Sequence, residues 1–169
     1  MEDPLVNRVQ ESGLIQLDLA SLLSPEPTSE VDLALWLAEG GILREKPFRA
    51  SVTDWDASSL HGHVVALTCS LDAILPDWAW MLVTAKLTAA GATVLAGRHA
   101  EAQSLAWKRA VEALDVEAYR DERVIVKGCA TAGGPATLVA FTQRLAPVVR
   151  SLMFGEACSA VPLVKNPRS

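Results

Sequence analysis

The clearest pattern in the chain is a set of short, β-branched apolar runs separated by longer stretches. Residues 63–69 (His-Val-Val-Ala-Leu-Thr-Cys), 93–96 (Thr-Val-Leu-Ala) and 123–129 (Arg-Val-Ile-Val-Lys-Gly-Cys) read as strands buried on both faces. Three helical stretches follow them. Residues 76–90 are apolar nearly all round, open with Pro76-Asp77 and stop at Gly91, which suit a helix start and stop. Residues 99–114 place Ala102, Leu105, Ala106, Val111 and Leu114 on one side, and residues 135–145 form a third helix that Pro147 ends or kinks. Residues 161–164 are a last short strand, set at an edge because Pro162 has no N–H to give. Strand and helix in alternation is the βαβ pattern. It predicts an α/β fold, a single three-layer domain with a mostly parallel sheet and helices on both faces.

The first sixty residues follow no such rhythm and are expected to be an irregular N-terminal extension. Val6–Ser12 suits one or two helical turns ended by Gly13, and residues 14–19 suit a strand. Pro25 and Pro27 make residues 24–29 a loop. Residues 31–37 fit a strand or a short helix, Gly40-Gly41 breaks it, residues 42–53 fit nothing well, and residues 55–63 are polar and loop-like. With no repeat, low-complexity tract or linker, residues 1–169 are taken as one domain, residues 1–60 irregular and residues 61–169 the βαβ core. The first third is expected to add an edge strand or a lid.

Composition sharpens this. Half of the 169 residues (50%) are hydrophobic and 21% are charged, which excludes a disordered chain. A net charge of −5 leaves no general basic surface, so nucleic acid is not an expected partner. Mean hydropathy is +0.24, yet no apolar run reaches the roughly 18 residues a membrane span needs. No membrane is therefore implied, and the apolar excess points to a subunit interface in a homo-oligomer. The N-terminus, Met1-Glu2-Asp3-Pro4, has neither the basic residues nor the apolar stretch of a secretory signal, so the cytoplasm is the expected compartment.

Three cysteines are odd in number and widely spaced, which argues against a disulfide framework. No Cys-x-x-Cys, His-x-x-x-His or His-Glu-x-x-His occurs. Ligands in parallel sheets bind beyond the carboxyl ends of strands, and Cys69 and Cys129 sit at two such ends. Cys158 lies in a polar, glycine-containing stretch, with Glu156 beside it; Asp72 follows Cys69. Thiolates with a carboxylate suit zinc or an iron–sulfur species, so Cys69, Cys129, Cys158, Asp72 and Glu156 are the candidate metal ligands. Cys158 can join the others only if residues 148–157 climb back across the sheet. Most free cysteines are small hydrophobes in a core, and each of these is weighed against that reading.

A second reading is an anion or small-molecule site at the same rim, and an enzyme is not excluded. Its candidates are Ser70, Thr131, Gly133 and Gly134, the last three before a helix whose free N–H groups favour phosphate or carboxylate. The glycines fit no nucleotide-binding spacing, so no nucleotide cofactor is expected. Thiol redox chemistry is a third reading. His61 and His63 precede a strand and belong to the opposite rim; His99 opens a helix and could approach the cysteines. No nucleophile elbow is present, and a non-catalytic binding protein leads.

Several stretches together resemble an uncharacterised bacterial family, the domain of unknown function numbered 2480. They are residues 6–9 (Val-Asn-Arg-Val), residues 66–74 with Pro76 and residues 78–82, Tyr119-Arg120-Asp121 with residues 126–129, and residues 151–159 with Val161-Pro162. The resemblance extends over almost the whole chain, and all three cysteines fall inside it. Trp80 departs from it, since that position is often tyrosine. The family has no established activity, so the resemblance implies no reaction. It is similar to families often encoded beside iron–sulfur assembly genes, which implies iron–sulfur assembly proteins as partners.

Overall fold

In the computed structural model, residues 13–127 and 133–167 are described; the helical turns expected over Val6–Ser12, together with Cys129 and Thr131, lie outside them. The strands are β1 (Leu14–Leu17), β2 (Thr28–Asp32), β3 (Val64–Thr68), β4 (Thr93–Ala96), β5 (Arg123–Val126), β6 (Ser151–Phe154) and β7 (Val161–Lys165). The helices are α1 (Leu19–Leu22), α2 (Glu45–Asp54), α3 (Asp77–Ala89), α4 (His99–Ala113) and α5 (Gly134–Leu145). This is an α/β fold with mostly parallel sheets, as the alternation of elements predicts. The chain divides into two compact units, Pro25–Ala106 and Met1–Ser24 with Trp107–Ser169. No helix among the described residues is long and apolar enough to cross a membrane.

The unit Pro25–Ala106 is built on the parallel sheet β2-β3-β4, with Thr28 opposite Val64 and Val64 opposite Thr93. Side chains alternate across a strand, so β3 is covered twice. Val65 and Leu67 pack with Phe48 and Val52 of α2 and with Ala79, Val83 and Leu87 of α3. Val64 and Ala66 pack against Ala102 and Ala106 of α4 on the other face. This is why residues 64–67 read as an unbroken apolar run. The spacing Ala79, Val83, Leu87 is one stripe of α3; Met81, on the far side, is exposed although the helix is apolar all round.

The strand expected over residues 14–19 is β1, and other residues of the irregular first third supply α1, β2 and α2. Thr28 and Ser29, expected in a loop, open β2, because its backbone is satisfied by pairing with β3. α2 escaped sequence analysis because it buries only Phe48 and Val52, one turn apart, with an exposed Glu45–Arg49 pair at 3.0 Å beside them. Phe48 is anchored edge-on to Trp36 (6.1 Å) and Trp78 (5.7 Å).

The other unit holds the sheet β1-β5-β6-β7, in which β1, β5 and β6 are parallel and β7 is antiparallel to β6. β7 is at an edge, as Pro162 requires, and the pairing shifts register at Leu152/Met153, where Pro162 faces Met153. Phe141 and Leu145 of α5 pack with Val124, Val126 and Leu152 of the sheet and Val111 of α4. β6 has no counterpart in the sequence reading: Ser-Leu-Met-Phe is four residues with no β-branched member, too short to show a period. Asn166 holds the end of the chain to the α5–β6 turn, its Nδ2 donating to the carbonyls of Ala146 (2.7 Å) and Val149 (2.8 Å).

Phe48→Ala should lower the unfolding free energy by about 3–5 kcal/mol, because a fully buried ring leaves a cavity between α2 and β3. Urea unfolding followed by tryptophan fluorescence measures this.

Candidate functional site

In a parallel sheet every strand ends on the same rim, and the loops that follow are where side chains can be spared from packing. In the unit Pro25–Ala106 this rim carries Asp32, the last residue of β2, and Cys69-Ser70, just after β3. Asp32 Oδ1 accepts from the N–H groups of Ala34 (2.9 Å) and Ser70 (3.0 Å). One carboxylate thus starts the helical turn Leu33–Trp36 and fixes the chain as it leaves β3. Burial works against its charge, but the Ser70 hydroxyl and the N–H groups of Ala34 and Ser70 outweigh that and hold its carboxyl below the usual aspartate value. Sequence analysis missed Asp32; the signal available was an aspartate directly before a short apolar helical turn.

Cys69 is half-buried, and its Sγ donates to the carbonyl of Leu71 at 3.4 Å. Asp72 is exposed in the same loop. Leu71 and Ile74, in the segment that follows Cys69, are exposed, Ile74 at 99%. The histidines are engaged elsewhere. His63 Nδ1 is 2.8 Å from Ser29 Oγ and His61 Nδ1 is 3.1 Å from the carbonyl of Ala90, both at the amino ends of the strands. His99 Nε2 meets Thr28 Oγ1 at 3.1 Å, at the start of β2, while its backbone N–H donates to Glu30 Oε2 at 2.8 Å.

In the other unit the rim carries the segments after β1, β5 and β6. β6 runs parallel to β5, with Val126 opposite Phe154, so residues 151–154 do climb back across the sheet. Lys127 N–H donates to Leu17 (2.8 Å) and Gly155 N–H to Val126 (2.9 Å), binding the three strand ends together. Cys158 and Glu156 follow, exposed, in the loop before β7; Ser159 N–H donates to the carbonyl of Glu156 at 2.9 Å. Cys129 comes three residues after Val126 in sequence and lies outside the described residues, as does Thr131. Among the described residues no group of three His, Cys, Asp or Glu side chains comes together to hold a metal ion.

Gly133 and Gly134 both have φ of +69° and lead into α5, which begins with no side-chain cap. A Cβ on Gly133 would collide with Trp107 and with Thr137 Oγ1. That hydroxyl is buried and has no hydrogen-bond partner. Leaving it so costs about 1–3 kcal/mol, an expense with no structural return in view. Nothing in the sequence marks Thr137, since a threonine one turn into a helix is common.

The chain matches, over residues 3–166, a family described as a protein of unknown function, DUF2480. It belongs to that family. Membership extends over both units of this DUF2480 protein and includes each of the three cysteines. No curated protein and no solved structure was found to match the chain.

Asp32→Ala should lower stability at pH 7 by about 1 kcal/mol, through loss of the cap. Since its carboxyl lies below the usual value, the contribution is present above that value and lost as the pH falls through the lowered one. The stability gap between wild type and Asp32→Ala should therefore close below about pH 4, which urea unfolding at a series of pH values measures.

Proposed function

We propose that this DUF2480 protein is a cytosolic, non-catalytic protein that binds zinc or an iron–sulfur species through cysteine thiolates and assists iron–sulfur cluster assembly. What supports this reading is the parallel pairing of β5 and β6. The segment that leads to Cys129 and the segment that leads to Cys158 leave the same end of two hydrogen-bonded strands. Strand neighbours are about 4.8 Å apart, and thiolates that share one zinc stand roughly 3.5–4 Å apart given Zn–S near 2.3 Å, so the two spacings are commensurate. Glu156, two residues before Cys158, is the carboxylate of this set. Cys69 and Asp72 belong to the other unit, and the reading does not depend on them.

Thiolate sulfur is a soft donor, which favours zinc and iron–sulfur species over magnesium or calcium. Ligand thiols must lose their protons to bind, so affinity falls as the pH falls.

Elemental analysis of protein purified without chelator or metal affinity resin tests the reading. About one equivalent of zinc or iron per chain is expected, falling severalfold in Cys129→Ser and in Cys158→Ser. Less than about one-tenth of an equivalent of any transition metal, or metal content unchanged in both variants, would overturn it.

A further inference from the structure

We propose that the amino-terminal end of α5 binds the phosphate group of a small metabolite, with Thr137 as a donor to it. This goes beyond the thiolate reading and rests on different residues. α5 has 12 residues, starts at the carboxyl end of the β5 crossover, and receives no side-chain cap. In its first turn Pro135 has no N–H, and the leading N–H groups of a helix have no acceptor within it. The positive end of the helix dipole lies at the same place.

A helix start is by itself a common feature, and Thr137 is what distinguishes this one. Its side chain is fully enclosed, at 1% exposure, and its Oγ1 has no partner. The hydroxyl lies against Gly133, the residue immediately before the helix. Glycine is obligatory there twice over: φ is +69°, and a Cβ would strike both Trp107 and the hydroxyl itself. The packing of Trp107 on one side and Gly133 on the other thus holds an O–H donor at the base of the first turn of α5. Gly134 has the same φ, but a Cβ on it would meet nothing within 4 Å, so the chain is open on that side.

Each of these groups can donate, and residues 133–137 contain no carboxylate, which favours an anion. Lys127, exposed where β5 ends, adds positive charge to the same rim. A tetrahedral oxyanion accepts from N–H and O–H donors in several directions at once, whereas a planar carboxylate has two oxygens in one plane. Phosphate is therefore the better match.

The test is titration of the full chain with inorganic phosphate by calorimetry and by thermal unfolding, against sodium chloride at equal ionic strength, with acetate as the carboxylate arm. Cys129→Ser/Cys158→Ser protein is titrated in parallel, so that the result is independent of any metal. Saturable binding and stabilisation by phosphate are expected in both backgrounds, and weaker effects from acetate. Thr137→Val, which keeps the shape of the side chain, should fold and bind phosphate about tenfold or more weakly, and Thr137→Ser should retain binding. No saturable phosphate response, or equal affinity in Thr137→Val, would overturn the proposal. So would a Thr137→Val protein less stable than wild type in phosphate-free buffer, because the hydroxyl would then already have a partner. Acetate binding as tightly as phosphate would overturn the assignment of the group.

Discussion

Parallel strand pairing is the constraint from which the rest of this structure follows. A parallel strand cannot turn back directly on its neighbour; the chain must cross over, and the crossover is most easily a helix. Both sheets obey this, β2-β3-β4 through α2 and α3, and β5-β6 through α5. Two consequences are built in. Strand faces become apolar on both sides where helices cover both, as at Val64–Leu67, and all strands end together. The loops after those ends are freed from packing, and the residues that can do chemistry are concentrated there.

What those loops carry differs between the units. After β2 and β3, the carboxylate of Asp32 is used internally, to start one turn and to hold Ser70. Cys69 is tied to its own loop through Leu71. After β5 and β6, the polar groups are less consumed: Cys158 is exposed, and Thr137 keeps a hydroxyl with no partner. A group that folding leaves unsatisfied has no evident structural use, and among the described residues the buried hydroxyl of Thr137, in the unit containing β5 and β6, is such a group. The thiolate and phosphate readings both rest on this unit, through separate residues.

Much of the fold was legible because burial on two faces writes itself into consecutive residues. Val64–Leu67 and residues 123–126 could hardly be anything but inner strands, and Gly91 and Pro162 marked a helix stop and a sheet edge. β6 and α2 were illegible for the opposite reason. Four residues without β-branching, or a helix with two buried positions, carry too little periodicity to stand out. The site was legible in its location more than in its members. Strand ends could be identified, but Asp32 and Thr137 matter through partners far along the chain or through the lack of one.

By itself the sequence determined the alternation of strand and helix, the family, and the positions of the cysteines relative to strand ends, because these depend on local pattern and order. Tertiary structure decided which strands are neighbours. The direction of β6 beside β5, which brings the approach to Cys158 to the same rim as the approach to Cys129, depends on pairing between distant segments. The pairing of Asp32 with Ser70, 38 residues apart, and the enclosure of Thr137 by Gly133 and Trp107 depend on the same kind of contact. Hydrogen bonding and packing between distant segments leave no periodic trace in either segment alone, and so only the folded chain reveals them.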